Sequence, residues 1–290
     1  PLSLSATHSP RAWLALHFTV LLFGCAGLFG HALPVSPWVL VFGRTLFAAL
    51  SLALCLLALR RPLRPRTGEG GRLALAAGAC LALHWVTFFQ AIQVGGVAAG
   101  LLGFAAFPAA VVALDSLGQR RWPAWRDVAM VGLVSVGLVL VTPLSAEGAA
   151  VREGVLWGVL SALLFAVLAL LNRRSASGDP LRLAGLQNAA AALWLLPLAV
   201  GQLPALSLRD WLGLAVLGVV FTALAHALFL FSLRVLPAQR VAVVTALEPV
   251  YGMAFAWLLF AQVPDARMWL GGAVIVLATL WASLGKASKH

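Results

Sequence analysis

A single carboxylate lies deep inside an apolar stretch of this sequence. In VVTALEPVYGMAF, residues 243–255, Glu248 directly precedes Pro249. An ionisable side chain at the centre of a bilayer costs about 2.5 to 3.5 kcal/mol to insert, so such groups usually face other helices or a water-filled cavity. Proline also removes a backbone donor from the preceding turn. Three interpretations of Glu248 stay open: a substrate or proton site, an ion pair with Arg44, or a hydrogen bond to the loosened backbone.

Two histidines occupy similar places in two other apolar stretches. His84 and His226 are separated by 142 positions, and at 100° per residue each shares a helical face with other polar or aromatic side chains. Residues near the bilayer midplane keep their depth when a helix is inverted, so the two rings could line one cavity from opposite walls. The alternative is that each histidine only satisfies a hydrogen bond in the core.

Ten residues are candidate substrate-binding side chains because of their depth or helical face. Arg44 is the one basic residue placed inside an apolar run. A cavity with a few polar groups among aromatic rings suits small, partly apolar metabolites that carry an amine or a carboxylate, such as amino acids. The ten candidates are His17, Arg44, His84, Trp85, Thr87, Phe88, Gln187, His226, Glu248 and Tyr251.

Residue patterns for metal or group-transfer chemistry do not occur in the sequence. The nine acidic residues are scattered, with no DxxD and no HExxH, and GxxxxGK[ST] is missing as well. The three cysteines, Cys25, Cys55 and Cys80, all lie in apolar runs without zinc spacing. We therefore expect a protein that is not an enzyme and that needs no catalytic residue, metal or cofactor.

The composition indicates an integral membrane protein. Of the 290 residues, 62% are hydrophobic and 10% are charged, against about 45 to 50% and about 25% in soluble domains. Apolar runs long enough to cross about 30 Å of hydrocarbon recur along the chain. They predict an all-α fold with ten transmembrane helices, at 13–30, 37–59, 73–93, 97–118, 127–143, 154–172, 183–201, 211–232, 239–260 and 268–285.

The basic residues fall on one side of these predicted helices. With the N-terminus placed inside, 16 of the 20 lysines and arginines lie in inside segments, three lie outside, and Arg44 lies within a span. This asymmetry follows the positive-inside rule and predicts that both termini are cytoplasmic, in a multi-pass protein of the inner membrane. Because topology accounts for the net charge of +11, no nucleic-acid partner is expected.

The two halves of the chain resemble each other. FPAAVVALDSLGQRRWPAWR, residues 107–126, aligns with EPVYGMAFAWLLFAQVPDAR, residues 248–267, so that Pro108 matches Pro249 and a second proline and an arginine also match. The same comparison at a shift of 142 places His84 against His226. The sequence therefore predicts a repeat five helices long.

A repeat with an odd number of helices forces the second copy to enter the membrane from the opposite side. Residues 1–145 would form the first repeat and residues 146–290 the second, inverted one, with Pro108 and Pro249 marking matching kinks. Inverted repeats are typical of secondary transporters, in which a midplane site is exposed alternately to each side. The alternative is a duplication that only enlarged the bundle.

These features resemble the drug/metabolite transporter superfamily, and in particular its EamA-type members. The resemblance rests on the ten spans, the five-plus-five inverted repeat, the proline before an apolar helix in span four, and LEPVYGMAFAWLL in span nine. It covers nearly the whole chain and implies export of amino acids and related metabolites, as is common in bacterial members. Such proteins often carry an acid where spans four and nine end, and here Gln119 and Gln262 stand there.

The sequence as a whole predicts a secondary transporter of the cytoplasmic membrane. It would move amino acids or similar small metabolites, with export favoured, by alternating access around a central cavity. The expected partners are the small-molecule substrate and the lipid bilayer, and a monomer is the expected assembly. The alternatives are an exporter of other small molecules or drugs, a channel, and an intramembrane enzyme.

Overall fold

The computed structural model describes residues 9–63, 71–141, 148–174, 179–236, 241, 244, 245 and 247–284. Every regular element within these residues is helical, and none is a strand. The predicted all-α class is therefore confirmed for the part of the chain that is described.

Five α-helices lie within the described residues of the first half, and the third of them is broken at Gly96. Two of them begin in the same way, because Ser9 and Ser36 each precede a proline and accept a hydrogen bond from a backbone N–H of the first turn, from Ala12 and Val39 respectively. Serine before a helix and proline at its first position both favour a helix start. The helices are α1 (Pro10–Ala32), α2 (Pro37–Ala58), α3 (Gly71–Phe104), α4 (Phe107–Gly118) and α5 (Trp125–Val141).

Six α-helices of the second half have bounds within the described residues. The π-helical turn Val219–Leu224 joins the third and fourth of them into one continuous helix. The 3-10 turn Val200–Ala205 follows the second. The helices are α6 (Ala149–Arg174), α7 (Pro180–Ala199), α8 (Leu208–Gly218), α9 (Ala225–Val235), α10 (Glu248–Phe260) and α11 (Ala266–Leu284).

In the part of the chain that the structure describes, six segments are long and apolar enough to cross a membrane, which indicates a multi-pass membrane protein. They are Pro10–Ala32, Pro37–Ala58, Leu73–Phe104, Ala149–Asn172, Pro180–Ala205 and Leu208–Leu233. The predicted spans 97–118 and 239–260 do not appear as single long helices, because breaks leave α4 with 12 residues and α10 with 13. The count of ten spans therefore stays a prediction.

The chain turns sharply at Gly96, inside α3. Gly96 has φ 85° and ψ 167°, a conformation that glycine adopts at no steric cost. After the turn the chain folds back, so that a Cβ added to Gly100 would lie 2.7 Å from Cγ1 of Ile92. The break falls between the predicted third and fourth spans, as the sequence analysis expects.

Matching breaks precede the two prolines of the repeat. Ala106, just before α4, has φ −67° and ψ −10°, and Leu247, just before α10, has φ −82° and ψ −7°. Proline is favoured in the first turn of a helix because the missing N–H would have no partner there. Pro108 and Pro249 thus start new helices, whereas the sequence analysis expected kinks within continuous ones.

Contacts between the halves dominate the packing. The largest run between α3 and α6, α2 and α7, and α5 and α11, and α1 packs on α9 and α10. Glycines allow the closest approach: a Cβ added to Gly95 would lie 2.7 Å from Cα of Gly154, and one added to Gly103 would lie 3.0 Å from Cα of Gly158. Of these pairs, α2 with α7 and α5 with α11 join helices at equivalent places in the two predicted repeats. This supports the inverted repeat, which stays a prediction.

Candidate functional site

A small cavity lies where helices of both halves meet. Its volume is about 40 Å³, which admits about three water molecules. One basic side chain, one acidic side chain, two histidines and a wall of aromatic rings surround it. The lining residues are Phe23 and Ala26 of α1, Arg44 of α2, Leu81, His84, Trp85, Phe88 and Phe104 of α3, Phe165 of α6, His226 and Phe229 of α9, and Glu248 of α10.

The structure brings together six of the ten candidate residues at this cavity. These six come from four helices that are far apart in the sequence, so the cavity is a product of the tertiary fold. All six are buried, with between 2% and 8% of their surface exposed. They are Arg44, His84, Trp85, Phe88, His226 and Glu248.

Two candidates on the same predicted faces lie outside the cavity. The hydroxyl of Thr87 donates to the carbonyls of Leu83 at 2.8 Å and His84 at 2.9 Å, so its polar atom is satisfied by its own helix. His17 is exposed, beside the ring of Trp13 at 6.5 Å between centroids. The structure therefore does not place Thr87 and His17 at this cavity.

The two remaining candidates pack elsewhere as well. Tyr251 is half-buried against the apolar cluster between α1 and α9. Gln187 is fully buried and donates a hydrogen bond to Oδ1 of Asn172, away from the cavity lining. The structure does not place Tyr251 and Gln187 at this cavity either, because each faces a neighbouring helix that periodicity alone does not identify.

Arg44 is held by an aromatic ring and a hydroxyl group. Its guanidinium carbon lies 3.8 Å from the centroid of the Trp85 ring and 5.2 Å from that of Phe89. Its Nε donates to Oγ1 of Thr222 at 3.0 Å. A cation over the face of tryptophan is attracted by the electrons of the ring, most strongly where water is excluded. These contacts stabilise a buried charge without neutralising it.

The π-helical turn places Thr222 beside Arg44. The hydroxyl of Thr222 donates to the carbonyl of Leu217 at 2.8 Å, five residues back, and accepts from Arg44. Single π turns within α-helices are frequent at functional sites. A Cβ added to Gly218 would lie 2.7 Å from the Arg44 carbonyl oxygen. This glycine therefore lets the continuous helix formed by α8, the π turn and α9 approach α2 at the level of Arg44.

Glu248 is the first residue of α10. Its position at a helix N-terminus favours a carboxylate, because the positive end of the helix dipole lies there. A Cβ added to Gly24 would lie 3.0 Å from the Glu248 carbonyl oxygen, so α1 passes directly beside this turn. Within the described residues, the Glu248 side chain forms no hydrogen bond and no ion pair.

The interpretation of Glu248 as the ion-pair partner of Arg44 is wrong. Both side chains line the cavity, but no ion pair within 4.0 Å joins them in the described part of the chain. The Nε of Arg44 is instead directed to Thr222. The cavity therefore holds a guanidinium group and a carboxyl group that form no ion pair with each other.

His84 contacts α6 through Ser161. Its Nδ1 lies 3.1 Å from the Ser161 carbonyl oxygen and 2.8 Å from Oγ of the same residue, and that Oγ donates to the His84 carbonyl at 2.9 Å. The His84 ring also stacks on Phe165 with 4.6 Å between centroids. These contacts fix the ring against the wall of the cavity.

His226 contacts α7 through Asn188. Its Nδ1 lies 3.3 Å from Nδ2 of Asn188, which also donates to the Ala184 carbonyl at 2.8 Å. Trp85 meets the His226 ring edge-on, with 6.4 Å between centroids. Trp85 thus touches both Arg44 and His226.

Sequence reasoning missed the partners of the histidines and much of the aromatic wall. Ser161 is a hydroxyl in an apolar helix and Asn188 is an amide in another, and either could equally bond to its own helix. The sequence puts Phe229 on the same helical face as His226 and matches Phe23 to Phe165 in the repeat, whereas Phe104 is detectable only as an aromatic residue away from the membrane surfaces. Their positions in the wall depend on how the helices pack.

Comparison with known proteins identifies the type of fold and the family pattern. Residues 152–284 match the EamA-like transporter family. A solved crystal structure shares the fold, with a TM-score of 0.70 and 16% sequence identity. The match covers 94% of this chain and 97% of that chain.

Two relatives match across nearly their whole length. One is an uncharacterized transporter, YxxF, of Bacillus subtilis (strain 168), with 25% identity over 99% of this chain and 94% of its own length. The other is an uncharacterized transporter of Archaeoglobus fulgidus, with 26% identity over 92% of this chain and 94% of its own length. The resemblance to EamA-type drug/metabolite transporters is thereby confirmed.

Proposed function

We propose that this chain, whose residues 152–284 carry the EamA-like transporter pattern, is a secondary transporter that exports amino acids or similar zwitterionic metabolites. It would act as a monomer in the cytoplasmic membrane, with both termini inside. The family match, the two transporter relatives and the six apolar membrane-crossing segments establish the coarser statement, a membrane transporter. The substrate class and the direction are our proposal.

The unpaired charges at the cavity carry the proposal. Arg44 and Glu248 both line it, yet they form no ion pair with each other. A charge removed from water is costly unless a partner compensates it. A ligand with one carboxylate and one ammonium would compensate both groups, whereas a ligand with a single charge would leave one of them uncompensated.

The remaining wall favours a substrate with a partly apolar body. Phe23, Phe88, Phe104, Phe165 and Phe229 surround the charged groups. Apolar lining with a few well-placed polar groups is typical of small-molecule sites. The wall therefore matches the carbon skeleton of an amino acid, as the charges match its ends.

The broken helices support a transport mechanism. α10 begins at Glu248 next to the cavity, after a break that α4 repeats at Phe107. In secondary transporters, substrate sites are typically formed at such helix breaks near the midplane, between two repeats. Because the cavity admits only about three waters, a larger substrate requires the helices of the two halves to move apart.

The proposed direction of transport and the proposed orientation of the protein in the membrane rest on the sequence. Bacterial transporters of the type that this sequence resembles commonly export amino acids and related metabolites. The 16 basic residues on one side against three on the other support cytoplasmic termini.

Transport in proteoliposomes tests the substrate class. The purified protein is reconstituted, and counterflow of a panel of radiolabelled amino acids is measured beside amines without a carboxylate and acids without an amine. We expect saturable transport of one or more amino acids with apolar side chains. Transport of the amines or the acids, with no amino acid moved, would contradict the proposal.

A further inference from the structure

The two cavity histidines are held by partners of opposite hydrogen-bonding character. We propose that Ser161 and Asn188, which lie behind the cavity wall, are positioning residues that fix opposite tautomers of His84 and His226. His84 then presents an acceptor to the cavity and His226 presents a donor. The assignment of tautomers stands on the contacts alone, and their role toward a zwitterion rests on the proposed function.

The contacts of His84 favour a proton on Nδ1. The carbonyl oxygen of Ser161, 3.1 Å away, can only accept a hydrogen bond. The single proton of the Ser161 hydroxyl is directed to the His84 carbonyl at 2.9 Å, so the hydroxyl oxygen, 2.8 Å from Nδ1, is free to accept as well. A neutral His84 therefore carries its proton on Nδ1 and leaves a lone pair on Nε2.

The contacts of His226 favour the opposite tautomer, with the proton on Nε2. The Ala184 carbonyl accepts from Nδ2 of Asn188 at 2.8 Å, which favours this orientation of the amide, although its buried Oδ1 has no partner among the described residues. The second N–H of that Nδ2 is available to His226, whose Nδ1 lies 3.3 Å away. Because an amide nitrogen only donates, Nδ1 accepts, and the proton of a neutral His226 is on Nε2.

In the proposal, the other nitrogen of each ring, Nε2, is assigned to the cavity. Both rings line it, with His84 4% and His226 5% exposed. Within the described residues, neither Nε2 has a hydrogen bond. Neither atom is among the fully buried side-chain nitrogens and oxygens that lack a hydrogen-bond partner, so each Nε2 keeps some accessible surface. The lone pair of His84 and the N–H of His226 are therefore the groups that a ligand would meet.

The two histidine nitrogens join the two charged side chains to give one set of hydrogen-bond donors and one set of acceptors. Arg44 and the Nε2–H of His226 are donors grouped on Trp85, which contacts both residues. Glu248 and Nε2 of His84 are acceptors. A carboxylate only accepts and an ammonium only donates, so the donor set suits one end of a zwitterion and the acceptor set suits the other.

The difference between the histidines arises although they correspond in the repeat. At the shift of 142 that relates His84 to His226, the counterpart of Ser161 is Thr19. The Thr19 hydroxyl donates to the Ala15 carbonyl at 2.8 Å, within α1. His226 thus has no equivalent of the Ser161 contact and takes Asn188 instead, so the two similar halves present different chemistry to the cavity.

Nitrogen NMR of the full chain in lipid nanodiscs tests the tautomers directly. All histidines are labelled with ¹⁵N, and the two signals are assigned through His84→Gln and His226→Gln. We expect a proton on Nδ1 of His84 and on Nε2 of His226, and we expect Asn188→Asp, whose carboxylate accepts, to move the His226 proton to Nδ1. The same tautomer at both histidines, or an unchanged His226 in Asn188→Asp, would overturn the assignment.

Transport separates the role of the tautomer from the proposed function. Asn188→Asp should raise KM for the transported amino acid roughly tenfold, because one hydrogen bond to a charged group is lost. Gln187→Leu is the control, since Gln187 is the buried neighbour on α7 and bonds to Asn172 rather than to a histidine. A shifted tautomer with unchanged KM would overturn the substrate role. Tautomers as expected in a protein that moves no amino acid would instead refute the proposed function alone.

Discussion

The guanidinium carbon of Arg44 lies 3.8 Å from the centroid of the Trp85 ring, so a positive charge inside the bundle rests on an aromatic face. Its Nε donates to Thr222, while Glu248, whose carboxyl group lines the same cavity, is not its ion-pair partner. An aromatic ring and a hydroxyl hold the cation in place without cancelling its charge. Arg44 therefore stays available to an anionic group of a substrate.

Arg44→Lys should impair transport although it keeps the positive charge. A lysine cannot reproduce the planar fork that stacks on Trp85 while bonding to Thr222. We expect kcat/KM for the transported amino acid to fall roughly tenfold or more, measured by counterflow. Arg209→Lys, at an exposed position, is the matched control and should transport normally. Equal activity of the two variants would argue against a binding role for Arg44.

Glu248→Gln separates a chemical role from a structural one. Glutamine keeps the shape and hydrogen bonding but cannot titrate, so transport should fall and its pH dependence should flatten while the melting temperature stays near that of the wild type. Glu248→Leu should lose transport as well. Transport in Glu248→Gln that is near normal and still depends on pH, with a low melting temperature only in Glu248→Leu, would leave Glu248 as a structural residue of the α10 start.

Thr222→Val tests the support of Arg44. Removal of the hydroxyl leaves the buried Nε without its partner, which should cost about 1 to 3 kcal/mol of stability, and it should raise KM because the guanidinium is less well positioned. Thr45→Val is the control: Thr45 is equally buried, but its hydroxyl bonds only to the carbonyls of Val41 and Phe42. Melting curves and KM values for both variants in nanodiscs give the comparison, and a similar KM for the two would contradict the expectation.

Gly154→Ala tests the contact between α3 and α6. The added Cβ would lie 2.6 Å from Cα of Gly95, so the helices must move apart. Such overpacking typically costs about 1 to 3 kcal/mol, and the melting temperature should fall. Gly132→Ala, where nothing lies within 4 Å of the new Cβ, should be neutral or slightly stabilising, because alanine favours a helix. A drop of equal size in both variants would show that the contact is not the cause.

The sequence predicted much of the helical fold and most of the charged part of the site. Long apolar runs showed where helices lie, and the rarity of charge inside them singled out Arg44 and Glu248, because each buried charge has a large energetic cost. The pair His84 and His226 was found through the repeat. These signals are strong because they depend on composition and spacing alone.

The rest depended on contacts between helices that are distant in the sequence. The 3.6-residue period puts Thr87 on the same face as His84, but it does not show that the Thr87 hydroxyl bonds back to its own helix. Nor does it show that α6 supplies Ser161 to His84. A proline signals a disturbed backbone, and only the structure shows that the helix starts anew at Glu248.

Competition by three related compounds tests the central claim that Arg44 and Glu248 bind opposite ends of a zwitterion. Counterflow of a transported amino acid such as leucine is inhibited with leucine, with its decarboxylated amine, or with its deaminated acid, in the wild type, Arg44→Gln and Glu248→Gln. We predict that leucine inhibits the wild type roughly tenfold or more better than either analogue, that the amine matches leucine in Arg44→Gln, and that the acid matches it in Glu248→Gln. Equal inhibition by all three compounds in the wild type, or the same order of inhibition in both variants, would contradict the claim.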